Sequence, residues 1–576
     1  MRLAQALIVL LCVGLVGLVG RLVYINTKLA PEITAYSYPR QTSTVVLHGS
    51  RGAILDRRYR VLAGSVDQYA VYADPRLIAD HAEAAEQLAP ILGMKAEEIR
   101  GKLDNPTSKG FVVLSRSKEN RKNELAKLDL RGVGVQREPA RVYPMGKLGA
   151  HVIGYVGADA KGLEGVELMC NSKLAGAPGK RTVFCDVHRR AMFQEPDSYV
   201  APKDGIHVVL TIDATIQEKL EQQLAERVQF HNADSSCGIV MNPKTGEILA
   251  MANYPTFDPL EAGDAPAAVR RNRLLTDPVE PGSVFKSYVM SAVMANKAAR
   301  REEMIDCHGG LLMLGSRALH DSHPYGALSV DHVLAKSSNI GMAILGQRLG
   351  NTKIYSMLHD LGFCEKSGID LQGEDRGLVH PLRMWTKQST ASVPMGQEVA
   401  VTPIQLITAF SAICNGGKLL RPRVVAAVVG DDGEIIEDHT QPEERRQAMD
   451  PEVAKTMVEM LTKVCTEGTG KQCNLEYWQA LGKTGTAQIP RIGQGRHGYE
   501  PGAYLGSFIA AAPASDPQVV VLIMTRHPRK NGYYGGVVSL PGVKEVLKFT
   551  LNYLNVPHDL VKDPKQPGQV VTDSGD

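Results

Sequence analysis

Aromatic residues are scarce in this chain, with two Trp and ten Phe among 576 residues. So few rings leave no interleaved stacking platform for nucleobases. No dense Lys/Arg block occurs and the formal net charge is only +3, so the electrostatic footprint of a nucleic-acid binder is missing as well. The nine cysteines (Cys12, Cys170, Cys185, Cys237, Cys307, Cys364, Cys414, Cys465 and Cys473) contain no CxxC pair, which disfavours a zinc ribbon or a thioredoxin-type centre. Cys465 and Cys473 are close enough in sequence to pair, but spacing alone does not establish a disulfide, and free, mostly buried thiols are the expectation.

Long apolar runs are also absent, with one exception. Residues 6–20 (ALIVLLCVGLVGLVG) carry no charge; Arg21 interrupts the run and residues 22–25 continue it. A membrane span needs about 20 apolar residues, and an Arg near its end can snorkel to the interface. A cleaved signal peptide would need an A-x-A site. Lys28-Leu29-Ala30-Pro31 come next instead, so residues 1–25 are expected to be an uncleaved anchor. The flanking charges (Arg2 before, Arg21 and Lys28 after) do not fix its orientation. With no second run of this length, the rest of the chain is expected on one side of the membrane.

The remainder is ordinary globular text, 44% hydrophobic and 22% charged over the whole chain, enough for a sizeable core. Residues 26–200 are rich in charge and turns. Helical spacing appears at 81–92 and 119–128, and Pro144, Gly146, Gly149, Gly154 and Gly157 punctuate the next stretch. Nothing there carries obvious chemistry, so a non-catalytic pedestal is the reading. From 201 to about 560 the pattern changes. A strand at 206–212 leads through Asp213, a helix cap, into a helix with Ile216, Leu220, Leu224 and Val228 on one face. Residues 237–241 and 248–252 flank a Pro/Gly turn and read as a hairpin. Helices come at 283–299, 330–349, 403–413 and 451–464, then strands at 504–512 and 518–525. Strands at both ends of a helical middle predict an α/β fold of α+β layering, an antiparallel sheet built from distant segments and flanked by helices. Residues 561–576 are polar and are expected to be a disordered tail.

Three short patterns stand in one order: S-x-x-K at Ser283–Lys286, S-x-N at Ser337-Ser338-Asn339, and K-T-G-T at Lys483-Thr484-Gly485-Thr486. Pro281-Gly282 opens a helix, which places Ser283 at its N-terminal end, where developing negative charge is favoured. Lys286 is one turn on, on the same face. Desolvated and close to another cation, it can lose its proton and act as base toward the hydroxyl. Ser337 can relay a proton to a leaving amine, and Asn339 can orient the lysine and a substrate amide. Lys483 adds a positive field. Thr484 and Thr486 offer hydroxyls to a substrate carboxylate, and Gly485 lets a peptide lie close to an edge strand. The N–H groups of Ser283 and Thr486 would form an oxyanion hole. Each pattern alone is weak. S-x-x-K recurs at Ser115–Lys118 and K-T-G at Lys244–Gly246; the first lacks a helix-opening Pro-Gly and the second lies in the hairpin turn before Glu247, so both read as surface text. Cys307, His308, His320, Asp321 and His323 are zinc-competent types, but their spacing fits no ligand pattern, and a polar loop beside a cleft is the reading; no metal or other cofactor is expected.

This trio resembles that of penicillin-binding proteins and class A β-lactamases, with Ser338 where Asp often stands. Residues 51–57 (RGAILDR), 141–157, 162–167 (GLEGVE), 210–213, 242–251, Gly396-Gln397-Glu398, Val401-Thr402-Pro403 and Tyr533-Tyr534-Gly535-Gly536 extend the resemblance, specifically to class B penicillin-binding proteins, over almost the whole chain. It departs at Arg58-Tyr59, where Asn-Gly is usual, at Val284 and Ser287, and at Ser539-Leu540. The resemblance implies a pedestal plus a penicillin-recognising serine transpeptidase domain. The activity implied is D,D-transpeptidation of peptidoglycan stem peptides ending in D-Ala-D-Ala, with acylation by β-lactams. The implied location is the cytoplasmic (inner) membrane, with the catalytic domain on the periplasmic side. Ser337-Ser338-Asn339 and the compact stretch 483–536 look more like division than elongation enzymes, which implies a polytopic glycan polymerase and division proteins as partners. A catalytically silent membrane scaffold and a β-lactam sensor or hydrolase are the rivals. The complete trio speaks against the first, and the long pedestal without a multi-span portion speaks against the second.

Overall fold

The structure is a computed structural model that describes residues 2–105, 110–186, 191–195, 198–315, 317–491, 498–562 and 570–572. The N-terminal helix runs over Arg2–Tyr24, passes through a π-helical turn at Ile25–Leu29 and resumes over Ala30–Gln41. Pro31 is accommodated in the first turn of the last segment, where a missing N–H costs nothing. The stretch Arg2–Tyr38, 37 residues, is long and apolar enough to cross a membrane.

The chain divides into two compact units. The first comprises Met1–Gly52, Ser65–Arg141 and Ala175–Gly205. Its core gathers Val71, Leu88, Ile99, Leu103 and Leu114. The helix His81–Leu92 has the expected bounds: the Asp80 carboxylate accepts from Ala82 and Glu83 N–H, and Gly93 ends it in the left-handed region (φ 66°). The helix expected at 119–128 is shorter, Lys122–Lys127, because Asn120 accepts from the Lys122 N–H at 3.1 Å and starts it late. Ser115 of the stray S-x-x-K lies on the strand Val112–Ser117.

The second unit comprises Ala53–Gly64, Val142–Leu174 and Ile206–Asp576. One of its sheets has five antiparallel strands: β1 (Ser235–Met241), β2 (Ile248–Tyr254), β3 (Leu481–Pro490), β4 (Tyr499–Ala512) and β5 (Val519–Arg526). Their order is β2-β1-β5-β4-β3, which leaves β3, with K-T-G-T, at an edge. Period-2 alternation divides β5 cleanly. Val519, Val521 and Ile523 meet α1 (Ala214–His231) through Ile216, Leu220 and Leu224, along with Val543 and Leu547 of the helix Leu540–Tyr553. Val520, Leu522 and Met524 face a larger core, shared by α2 (Lys286–Ala295), α3 (Val330–Ala335), α4 (Asn339–Leu349), α5 (Pro403–Cys414) and α6 (Pro451–Thr466). Asp213 caps α1 as expected, accepting from the Thr215 N–H, and Thr402 with Gln405 forms a capping box on α5.

Two long helices expected from periodicity are interrupted. Residues 282–285 form a 3-10 turn before α2 begins at Lys286. The stretch 330–349 breaks into α3 and α4 because Ser337 takes a left-handed φ of 59°. At Arg58-Tyr59, Tyr59 holds φ 61°, so a non-glycine residue supplies the left-handed step of that turn. Cys12, Cys185, Cys237, Cys307, Cys364, Cys414, Cys465 and Cys473 are free thiols. Of the polar tail, 563–569 and 573–576 lie outside the described residues, and Leu560–Lys562 pairs with Val570–Thr572.

Candidate active site

The break at Ser337 and the 3-10 turn at Ser283 meet the edge strand β3 in one cleft of about 350 Å³. Ser283, Ser337, Asn339, Thr484, Gly485 and Thr486 all line it. Lys286 and Lys483 reach it from beneath, both fully buried. The eight residues singled out by the three patterns are thus assembled in one place. A larger cavity of about 790 Å³, lined in part by Lys244, Asn415 and Lys418, contains none of them. Lys244 itself pairs with Asp516, and Gly246 supplies a φ of 76° to the hairpin turn.

Each side chain is placed by a local cause. Gly282 adopts φ 57° and packs so tightly on β3 that a Cβ there would lie 2.6 Å from the Thr486 carbonyl. That close approach fixes the chain at Ser283 beside Thr486. Gly485 is required by the protein itself: a Cβ would lie 2.7 Å from Val284 Cγ2 and 3.1 Å from the Pro281 carbonyl. The left-handed step at Ser337 turns both its carbonyl and its hydroxyl toward Lys286. Lys286 Nζ donates to Ser337 O at 2.6 Å, Ser337 Oγ at 3.2 Å and Asn339 Oδ1 at 2.7 Å. Lys483 Nζ donates to the same Ser337 Oγ at 2.9 Å and to the Thr484 carbonyl at 3.1 Å.

One serine hydroxyl therefore lies between two buried lysines. Two ammonium groups around one oxygen in a dry site repel each other, so at least one is driven to the neutral form. Burial lowers Lys286 to about 7, with Asp321 pulling the other way. Burial and the neighbouring Lys286 lower Lys483 as well. A lysine near neutrality, three residues after a serine that lines the same cleft, has the basicity to accept a proton from it, and Ser337 Oγ can pass a proton between the lysines and a bound molecule.

Strand alternation holds at the edge. Lys483 opposes Ile509 in register and faces the helices, as Gly485 does. Thr484 and Thr486 face the other way: Thr484 Oγ1 is 2.7 Å from Thr469 Oγ1, and Thr486 Oγ1 accepts from the Gly535 N–H at 3.1 Å. Thr484 is buried and Thr486 half-buried, so Thr486 is the more accessible to a ligand. Sequence reasoning missed Thr469, which lines the cleft from the loop after α6. It also missed a tyrosine stack at the cleft wall, Tyr504 on Tyr533 at 4.2 Å and Tyr533 on Tyr534 at 4.4 Å. Tyr533-Tyr534 stands out in the sequence only as a motif, with nothing nearby to bring Tyr504 beside it.

Residues 236–548 match the penicillin binding protein transpeptidase domain, and residues 46–210 match the penicillin-binding protein dimerisation domain. The chain belongs to the penicillin-binding protein family. It is 32% identical over 550 residues to the stage V sporulation protein D of Bacillus subtilis, covering 93% of this chain and 83% of that protein. It is also 32% identical over 546 residues to a probable peptidoglycan D,D-transpeptidase, PbpC, of Pseudomonas aeruginosa, covering 94% of each. Among solved structures, penicillin binding protein 3 of Mycobacterium tuberculosis in complex with aztreonam superimposes with a TM-score of 0.68 at 28% identity, over 89% of this chain and 98% of that one. Membership of the penicillin-binding family accounts for both the dimerisation-domain match and the layered fold of the transpeptidase domain.

Proposed function

We propose that this penicillin-binding protein is a peptidoglycan D,D-transpeptidase working through a serine acyl-enzyme. The donor is a stem peptide ending in D-Ala-D-Ala. Lys286, neutral, takes the proton of Ser283 as Oγ attacks the carbonyl of the penultimate D-Ala, and the N–H groups of Ser283 and Thr486 receive the oxyanion. Ser337, supplied by Lys483, delivers a proton to the departing D-Ala amine, and the donor stays as an ester on Ser283. The amine of a second stem attacks that ester, forming the cross-link and restoring the serine. Asn339 orients Lys286 and the donor amide, while Thr484 and Thr486 hold the terminal carboxylate next to Gly485. A β-lactam enters the first step and is held as the stable acyl-enzyme. The observation that carries this reading is the Ser337 hydroxyl between Lys286 and Lys483 in the cleft of Ser283.

The reading includes a division of labour along the chain. Residues 1–25 anchor the protein in the cytoplasmic membrane, 26–200 serve as a non-catalytic pedestal, and 201–560 catalyse on the periplasmic side, with the tail 561–576 beyond. Septal wall synthesis, beside a polytopic glycan polymerase and division proteins, is the cellular role that Ser337-Ser338-Asn339 and the compact 483–536 stretch support. Labelling membranes with a fluorescent penicillin tests the chemistry: wild type takes the label and Ser283→Ala does not, while a labelled Ser283→Ala protein removes the assignment. Depletion separates the cellular roles, giving filaments if the enzyme serves division and swollen, rounded cells if it serves elongation.

A further inference from the structure

One carboxylate outside the three motifs holds the middle one in place. Asp321 comes directly after the hairpin Leu311–Leu314/Arg317–His320 and is tied to its base by its own N–H, which donates to the Gly310 carbonyl at 3.1 Å. Its Oδ2 accepts from Ser338 Oγ at 2.6 Å, and its Oδ1 accepts from the N–H of Asn339 at 2.5 Å and of Ile340 at 3.1 Å. Ser338 Oγ in turn accepts from the Gly341 N–H at 2.9 Å. Two consecutive N–H groups and one hydroxyl at the start of α4 thus converge on one carboxylate, directly behind the residue whose Oδ1 receives Lys286. The neighbouring His320 carbonyl accepts from Asn339 Nδ2 at 2.9 Å, so both ends of the Asn339 amide are fixed through this loop and Lys286.

We propose that Asp321 is a positioning residue of the active site, pinning Ser337–Asn339 against Lys286 and supplying the negative charge that balances the lysine pair. The proposal rests on the reading of Ser283 and Lys286 as nucleophile and base. Its physical basis is short-range. A left-handed residue such as Ser337 persists only where its surroundings over-determine it. The anchored start of α4 provides that on one side and α3 on the other. The charge reaches Lys286 through one intervening residue, Asn339, and acts on an ammonium that is itself fully buried. Among the described residues, the charged groups that act on Lys286 are Lys483 on β3 and Asp321 itself; Lys336, at the cleft wall, is turned to the Glu467 carbonyl at 2.7 Å. Around Asp321 stand Cys307, with its Sγ 3.4 Å from Ser338 Oγ, and Tyr325. Burial raises the pKa of both, which leaves them neutral beside the carboxylate. Asp321 is thus engaged in holding the motif, and Cys307 packs behind it.

Charge and shape are separable by substitution. Asp321→Asn keeps the size and one acceptor oxygen but removes the charge, and Asp321→Glu keeps the charge but moves it. The rate constant for acylation by a fluorescent penicillin is measured from about pH 5 to about pH 9, with melting temperatures as a control on folding. Without the carboxylate, neutral Lys286 is favoured at lower pH. The normalised acid limb of Asp321→Asn is therefore expected to move to lower pH, giving about threefold more of its own plateau activity near pH 5.5 than wild type retains of its own. Asp321→Glu is expected to keep the wild-type midpoint with a plateau about tenfold lower. A normalised Asp321→Asn profile that superimposes on wild type overturns the proposal, because a helix cap alone lowers the plateau without moving the limb. If the Asn variant does not fold, a Glu midpoint displaced from that of wild type overturns it instead. Failure of wild type itself to take the label would remove the transpeptidase reading rather than this one.

Discussion

Lowering the pH of an acylation reaction from about 8 to about 5 tests the buried lysine directly. An ordinary lysine, with a pKa of 10.5, would be neutral in only about 0.03% of molecules at pH 7. Burial brings Lys286 to about 7, so about half of it is neutral there, a gain of about 10³-fold in competent base. Only the neutral amine accepts the Ser283 proton, so activity is present above the midpoint and lost as pH falls through it. The acylation rate constant should drop about tenfold per pH unit below the midpoint, or roughly 100-fold between pH 8 and pH 5. Because Lys286 and Lys483 share Ser337 Oγ, the measured midpoint belongs to the pair. The assay is stopped-flow or gel-based labelling with a fluorescent penicillin, with circular dichroism at each pH to show that the fold persists. Lys286→Ala should cost about 10²- to 10⁴-fold at the plateau while folding normally. A rate that varies less than about threefold over this window, or a midpoint near 10, would refute the assignment of Lys286 as the base.

Thr486→Val should lose about 10- to 150-fold in acylation by penicillins with a free carboxylate and much less toward an ester with the same ring; equal losses would mean that the residue shapes β3 and does not read the charge. Thr484→Val should lose less, since its hydroxyl is committed to Thr469. Gly282→Ala places a Cβ 2.6 Å from the Thr486 carbonyl at a φ of 57°, so it should destabilise the second unit by about 1–3 kcal/mol and depress acylation together, as thermal melting and labelling will reveal. N-terminal sequencing of the membrane-bound protein should begin at or near Met1; a start beyond Ile25 would mean that the apolar helix is a cleaved leader. Lys118→Ala should leave acylation unchanged, because that S-x-x-K repeat begins on a strand of the first unit.

The features legible in the amino-acid text are local ones. Apolar periodicity marks the helix over Ala214–His231 and its buried face, and Asp213 marks its start, since a cap is read by residues two or three positions away. Strand alternation puts Lys483 and Gly485 on one side of β3 and the threonines on the other, because side chains on a strand take turns by geometry alone. Order and neighbouring turn residues separate the working S-x-x-K and K-T-G from their copies. Features that depend on residues far apart in sequence emerge only on folding. The break in 330–349 does not show in its helical periodicity; it arises from Asp321 gripping the start of α4 and from the left-handed Ser337 between the two lysines. Asp321 reads in the sequence only as part of a polar loop, and Thr469 and Tyr504 carry no signal at all, because nothing within a few residues of them announces a partner 15 to 29 positions away. The depressed pKa of Lys286 is likewise a property of the assembled site: its burial exists only once distant segments have packed around it, as does the nearness of Lys286 that helps to lower Lys483.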